Sequence, residues 1–577
     1  VSLAATPLAP QARESFGDVS EAAEFVSMLE KFERGEINSE QYRQFRLSRG
    51  IYGQRQDGVN MVRVKIPQGV LSGTQLRVLA ECADRYSRGY GHVTTRQNLQ
   101  FHNVKPEDVG PFMTRVAESG LTTREACSHT VRNVAACAHA GVCGDAPFDI
   151  TPYAEAVTRH FLRAPLGSGL PRKFKIAASG CASDCGQGAM NDIGMIAQVR
   201  EGQRGFRLLA GGGTATLSRS AGALHDFLPA EDLLVACEAI VRVFNQEGER
   251  GNLKRARMKW AIERLGWDGF KALYLREFEA IKAAGGRPLP VLPPEETPPQ
   301  HPHRPETGAP TSREYVLWKN SNVRVQAQEG HVTATSWLKL GDISSDQLRA
   351  TADLAEQFGD GTVRTTNGQN LLFRWIRTVE LPAFWQGLNR WGLGQAHADG
   401  LSDVVSCPGA ETCRIAVTAS RGVAQHVGEH LRARERNDTG ADIRVSGCPN
   451  GCGQNHVAAI GLQGGLRRLN EKLVPQYHVT LGGGIDASGA RFGRLIGKVP
   501  VRRVATAIDR LIAHYDAHHH PGELPRTYFQ RLETEQARRL IQDLTEITEA
   551  TATPEDFVDL GSSVEFKVVE MDGECAA

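Results

Sequence analysis

Much is missing from this chain, and each absence closes off a class of protein. No uninterrupted apolar run approaches the ~18–20 residues of a membrane-spanning helix. The opening V-S-L-A-A-T-P-L-A-P has neither a basic region nor a long apolar core, so it does not read as a secretory signal. Net charge is almost nil: 67 Lys and Arg stand against 66 Asp and Glu, +1 overall, which leaves no global field for nucleic acid. Positive charge that matters must be gathered locally, in a pocket. G-x-G-x-x-G leading into a helix does not occur, so no dinucleotide site is expected. Twelve cysteines in 577 residues are too sparse for a secreted disulfide scaffold. Eight of them fall in paired motifs, which points to thiolate ligands in a reducing compartment, the cytoplasm.

What is present is an ordinary globular composition, 41% hydrophobic and 23% charged, on a chain too long for one core. The most informative stretch reads S-C-P-G-A-E-T-C at Cys407 and Cys413, then V-S-G-C-P-N-G-C-G at Cys448 and Cys452. Four thiolates from two glycine-rich loops suit a cubane iron–sulfur cluster. A zinc site or disulfides are the alternatives; zinc knuckles use two- to four-residue gaps, and the first gap here is five.

The chain is also duplicated. T-T-R-Q-N-L-Q-F at Thr94–Phe101 returns as T-T-N-G-Q-N-L-L-F at Thr365–Phe373. The pairs Cys137/Cys143 and Cys181/Cys185 return as Cys407/Cys413 and Cys448/Cys452, and a Gly-Gly-Gly at 211–213 returns at 482–484. Offsets of 272, 270, 267 and 271 in one order mean one repeated unit. Within each copy, alternating stretches predict strands (Met61–Ile66, His92–His102; Thr333–Leu340, Thr362–Trp375) around helices at Thr74–Tyr86 and Ser345–Phe358. Arg172–Ala178 and Ile443–Ser446 read as strands leading into the second cysteine pairs, and Leu233–Phe244 and Val504–Tyr515 as amphipathic helices. The fold class is α+β with pseudo-two-fold symmetry. Boundaries follow: an extension at 1–50, modules at 51–120 and 121–285, a proline-rich linker at 286–315, modules at 316–395 and 396–525, and a tail at 526–577. The two ends could embrace the core or serve as docking arms. His518–His520 reads as solvated surface.

The copies differ in charge. The first has Arg63 on an alternating strand, Arg96 in T-T-R-Q, Arg132 in V-R-N-V, and L-P-R-K-F-K over Leu170–Lys175. At the same landmarks the second has Ser336-Trp337, Asn367-Gly368 and no basic run before Cys448. Cations at landmark points of one copy only favour an anion pocket over a solvated face, Arg giving a bidentate fork and Lys a point charge able to release a proton.

These motifs together, over residues 50–525, are similar to those of the sirohaem-dependent sulfite and nitrite reductases. The resemblance implies a duplicated fold in which each half pairs a ferredoxin-like module with a larger α/β module. It implies one sirohaem and one [4Fe-4S] cluster, with Cys407, Cys413, Cys448 and Cys452 as ligands and Cys452 also bridging to the sirohaem iron. By the same resemblance Arg63, Arg132, Lys173 and Lys175 hold the substrate anion. Arg96, Gln100, His102, Arg172 and Asn450 contact the macrocycle. Lysine at the end of L-P-R-K-F-K resembles the sulfite-reducing branch, so six-electron reduction of sulfite to sulfide is expected, with nitrite reduction to ammonia as the alternative. With no flavin or nicotinamide module, electrons must come from a ferredoxin or, second, a flavoprotein subunit. The rival class is a non-catalytic iron–sulfur electron-transfer protein, which needs no anion pocket.

Three thiol questions stay open in the sequence. Cys137, Cys143, Cys181 and Cys185 repeat the full cluster pattern where many relatives lack it, and read either as a second cluster, with or without a second sirohaem, or as a vestigial site. Tyr52 and Cys127 could approach each other on the distal face and form a link. Cys575 reads as a free tail thiol.

Overall fold

The computed structural model describes residues 13–294, 296–299, 308 and 310–568; Cys575 and the first ten residues lie outside them. Local rules account for many elements. Ser72 and Ser344 each cap a helix with a reciprocal Ser–Gln capping box, through Gln75 and Gln347, at matching places in the two copies. The helices that follow, Gly73–Tyr86 and Ser345–Phe358, pack against each other. Glu356 approaches so closely that a Cβ on Gly73 would meet its Oε1 at 2.0 Å. Ion pairs cross this contact in both directions, Arg77 to Asp353 and Glu356, Arg349 to Asp84.

Beneath these helices lie two five-stranded sheets, each completed by the other copy. In one, the order is Ile51–Gly53, Asn60–Val64, Leu99–Val104, Tyr90–Val93 and then Asp342–Ser344. In the other it is Val323–Val325, His331–Ser336, Leu371–Arg377, Thr362–Thr365 and then Val70–Ser72. The exchanged strands pair antiparallel at Ile343↔Gly91 and Leu71↔Val363. One hydrophobic core accordingly spans both copies, from Phe25, Leu79 and Phe101 to Val363, Phe373 and Phe384. The N-terminal helices Ser20–Glu33 and Ser39–Ser48 pack into it through Ala22, Phe25 and Tyr42.

Each larger module has its own core and its own five-stranded sheet. Three strands of each run parallel, Ala135–Ala136, Ile176–Ser179 and Ile193–Arg200 in the first and Val405–Ser406, Ile443–Ser446 and Ile460–Leu469 in the second; the other two pair antiparallel. Side-by-side parallel strands end at the same level, so the loops carrying both cysteine pairs of a copy leave the sheet together.

Several expectations are refined. His92–His102 and Thr362–Trp375 are not single strands but hairpins, Tyr90–Val93 with Leu99–Val104 and Thr362–Thr365 with Leu371–Arg377. At their tips Gln97 and Gln369 take left-handed backbone conformations, φ 61° and 65°, that reverse the chain. Register places Thr335, not Ser336-Trp337, in the position of Arg63: Arg63 lies opposite Gln100 and Thr335 opposite Leu372. The duplication also runs past residue 525. Helices Pro525–Arg531 and Thr534–Thr545 follow Val504–His518 as Met258–Leu265 and Trp267–Ala283 follow Leu233–Glu247. The described part of the linker is not loose: Glu296 reaches the buried Arg374 at 2.9 Å, and Leu289 and Leu292 pack on the first module.

Candidate active site between the halves

The two hairpin tips reach across the pseudo-two-fold. Gln97 Nε2 donates to Thr365 O at 2.8 Å while its Oε1 accepts from Ala136 N, beside Cys137. Gln369 does the same in reverse, donating to Val93 O at 2.9 Å and accepting from Ser406 N, beside Cys407. Both are buried, so these bonds replace water that has been excluded. Next to them Thr95 Oγ1 donates to Cys452 O at 2.9 Å, and Asn367 Nδ2 lies 3.4 Å from Cys185 O. Each cysteine nest is therefore held against the hairpin of the opposite copy.

In the second nest Cys407 and Cys448 are buried, Cys413 is half-buried and Cys452 exposed. Gly447 N and Ser420 Oγ approach Cys407 Sγ, both at 3.3 Å. Asn450 donates to Cys448 from its backbone and its side chain. Burial pushes the Cys448 thiol up to about 12, and the neighbouring sulfurs of Cys452 and Cys407 add to this. Crowded thiolates of this kind are stabilised by a cationic metal core. Arg55 carries positive charge beside Cys413 and donates to its carbonyl at 3.3 Å. Among the described residues no three His, Cys, Asp or Glu side chains converge closely enough for a single ion. A cubane spreads its four ligands over four irons and asks for a wider nest.

Facing Cys452 from the first copy is the cationic set. Lys175 lies in the field of Cys452, Lys173, Arg96 and Arg257. Burial, then the three cations, drive its amine well below the ordinary lysine value. Arg96, driven by burial and by Arg132 down to about 9, donates to Asn133 O at 2.6 Å and Asn191 Oδ1 at 2.8 Å. Arg63 and Arg132 converge on one carbonyl, that of Ala126. With the Gln100 amide oriented so that its oxygen faces Arg63, the guanidinium forks onto that oxygen, with Nε at 3.1 Å. The same guanidinium lies over the Tyr52 ring at 5.1 Å and 3.5 Å from Cys127 Sγ. Tyr52 and Cys127, expected to approach each other, belong to one small buried group with Leu47 and Met61. Arg172 Nη1 stands 3.2 Å from His129 Nε2. His102 is buried beside His92 and near Arg421 and Arg63, which hold it neutral, its value lowered to about 3 chiefly by burial.

Two cations escaped the sequence reading. Arg257 is buried and pairs with Asp192 at 2.9 Å, and Asp192 also accepts from Lys175 N at 2.8 Å. Lys259 is buried against the carbonyls of Thr214, Thr216 and Leu217 at 2.8–3.0 Å. Their signal was the motif R-M-K at 257–259, which opens a helix and resembles a solvated turn. Gly213 is what admits them: a Cβ there would meet Lys259 Cδ at 3.2 Å and Arg257 Nη2 at 3.4 Å. His456, also unforeseen, is lowered to about 4 by burial and then by Lys259 and Lys175.

The set fits a ligand rich in carboxylates. Buried Nε atoms of Arg96 and Arg132 have no hydrogen-bond partner within the protein, and donors left so are costly unless something accepts from them.

Comparison with known proteins identifies the family and the fold. The nitrite and sulphite reductase 4Fe-4S domain matches residues 127–282. The nitrite/sulfite reductase ferredoxin-like half domain matches residues 52–119 and again 323–391, the two exchanged-strand modules. A ferredoxin–nitrite reductase of Leptolyngbya laminosa is 29% identical, over 80% of this chain and 87% of its own length. A ferredoxin sulfite reductase of Mycobacterium tuberculosis is 28% identical, over 85% and 88%. The solved structure of the Mycobacterium tuberculosis NirA protein has a TM-score of 0.74 at 26% identity, covering 90% of this chain and 97% of that one. No helix among the described residues is long and apolar enough to cross a membrane.

Proposed function

We propose that this chain, which belongs to the nitrite and sulfite reductase family, reduces sulfite to sulfide at a sirohaem adjoining a [4Fe-4S] cluster. Cys407, Cys413, Cys448 and Cys452 would hold the cluster, with Cys452 shared between the two groups. Arg96, Gln100, His102, Arg172 and Asn450 would meet the macrocycle, Asn450 donating also to the Cys448 sulfur. Bound together, the two groups supply one-electron transfer and an iron that binds the anion. The protein does the rest. Arg63, Arg132, Lys173 and Lys175 neutralise the anion in a recess shielded from water, where such charges act strongly. Sulfite loses three oxygens as water, and each must be protonated before it leaves. An amine already pressed towards releasing its proton is suited to that task, and Lys175 is such an amine.

The observation that carries this reading is the set of cations, with Lys175 among them, gathered opposite Cys452 in one copy only. A pure electron carrier has no use for it. Relatives of similar identity are named for nitrite and for sulfite; Lys175 favours sulfite. Steady-state kinetics with both anions test this. Sulfite should have the higher kcat/KM, and Lys175→Asn should move the ratio towards nitrite; a large preference for nitrite in the unmodified protein overturns the assignment. The donor we assign is a ferredoxin. Turnover with reduced ferredoxin, and not with NADPH plus a flavoprotein, is the expected result.

A further inference from the structure

The first copy has its own four cysteines, and the structure shows how closely their surroundings follow the second. Cys137 N donates to Ala178 O at 3.0 Å, as Cys407 N does to Val445 O at 3.2 Å. Gly186 N donates to Ser179 Oγ, and Gly453 N to Ser446 Oγ, both at 3.0 Å. Ser183 donates to the Cys181 sulfur from backbone and side chain, as Asn450 does to Cys448. Burial follows the same order in both nests: buried, half-buried, buried, exposed along Cys137, Cys143, Cys181, Cys185 and along Cys407, Cys413, Cys448, Cys452. The first-copy sulfurs are gathered. The Cys185 thiol is hydrogen-bonded to those of Cys137 and Cys181, and Cys143 lies in the field of both Cys181 and Cys185. Where the second copy has Gly451, the first has Asp184, whose buried carboxylate accepts from Ser179 Oγ at 2.6 Å, Gly188 N at 2.7 Å and Ala189 N at 2.8 Å. That carboxylate fixes the loop from within, so the departure from the glycine pattern keeps the nest in shape.

The ground around this nest is different. By the same offsets Gly368 stands for Arg96, Ser402 for Arg132, Gly440 for Lys173 and Asp442 for Lys175. Arg444 and Arg526 are both paired to Asp442, at 2.6 and 2.7 Å, and Arg374, which donates to Ala140 O beside Cys137, is paired to Asp360 and Glu296. Arg444 also donates to Gln454. A ring of carboxylates would find these cations already neutralised.

We propose that Cys137, Cys143, Cys181 and Cys185 bind a second [4Fe-4S] cluster, unaccompanied by a tetrapyrrole. Thiolate ligands, sulfur-directed donors and a gathered nest are what a cubane requires, and the neutralised surroundings exclude the macrocycle. The second half of this statement rests on the reading of the first pocket as the sirohaem site.

The test is a count of iron, zinc, acid-labile sulfide and sirohaem on full-length protein purified without oxygen. About nine irons and eight sulfides per sirohaem are expected, against about five and four for a single cluster. The double variant Cys137→Ser/Cys181→Ser should lose about four irons, with sirohaem absorption unchanged. Five irons with a full complement of sirohaem overturns the proposal, as does zinc in place of the missing iron, or a count of nine that the double variant leaves intact. Two sirohaems per chain overturns its second half. Eight irons without sirohaem would instead uphold this site and defeat the proposed reductase, so the two failures are distinguishable. The count on unmodified protein decides even if the variant does not fold.

Discussion

The strand leading into the second cysteine pair starts with Lys175 in the first half and with Asp442 in the second. Each copy keeps one carboxylate at the gap between this strand and the next parallel one, Ile193–Arg200 or Ile460–Leu469, but on opposite sides. Asp192 accepts from the backbone N–H of Lys175, whereas Asp442 accepts from that of Ala459, the counterpart of Asp192. Moving the acid to the neighbouring strand leaves its former place open to a lysine. In the first half the lysine then faces the opposite nest; in the second the acid turns inward and neutralises Arg444 and Arg526. One fold has thus made a face with an uncompensated lysine and a neutralised one from the same backbone, by moving the acid that pairs with Arg257 or Arg526 from one strand to its neighbour.

That contrast can be broken from either side. The largest effect is expected at Lys175: Lys175→Met should lower kcat for sulfite by about 10²–10⁴-fold, the range of a general acid. Sirohaem content is the control, since a loss of cofactor would place the residue in binding instead. On the other side, Asp442→Asn should leave the half-buried Arg444 and Arg526 without their carboxylate and cost about 1–3 kcal/mol at neutral pH, read from denaturant melts. Its acidity gives the sign of the pH dependence. Burial raises it, but Arg526 and Arg444 prevail and hold it at about 2. A depressed carboxylate stabilises the fold above its unfolded value, ~3.9, and loses that contribution as pH falls through about 2. The gap between parent and variant should therefore close between pH ~4 and 2. The smallest effect sharpens the symmetry that remains. Gln97→Leu and Gln369→Leu each leave buried partners unsatisfied, at about 1–3 kcal/mol. Because the two make mirrored bonds, their costs should agree within about 0.5 kcal/mol; a clear inequality would show that one hairpin tip matters more to the interface.

How much of this the sequence reveals depends on distance along the chain. The cysteine spacings, the duplication and the capping-box helices are local, and they are readable. The strand exchange is not, because Val70–Ser72 and Asp342–Ser344 are three residues each and their partners lie hundreds of positions away. Three residues carry no usable period. Gln97 and Gln369 hide inside stretches that alternate like strands, and only their left-handed backbone reveals the turn. The basic face was legible as Arg63, Arg96, Arg132, Lys173 and Lys175, but Arg257 and Lys259 were not: what brings them in is the open space at Gly213. Asn450, expected from the resemblance at the macrocycle, also donates to the Cys448 sulfur, a bond that its place in the motif does not announce.

The exchanged strands have a consequence for synthesis. The edge strand Tyr90–Val93 is covered by Asp342–Ser344, which leaves the ribosome about 250 residues later. At ~5–20 residues per second that is an interval of roughly 10–50 s. Through it the first half carries an open sheet edge, a ready template for wrong pairing. The chain is born incomplete and stays so until its second copy arrives.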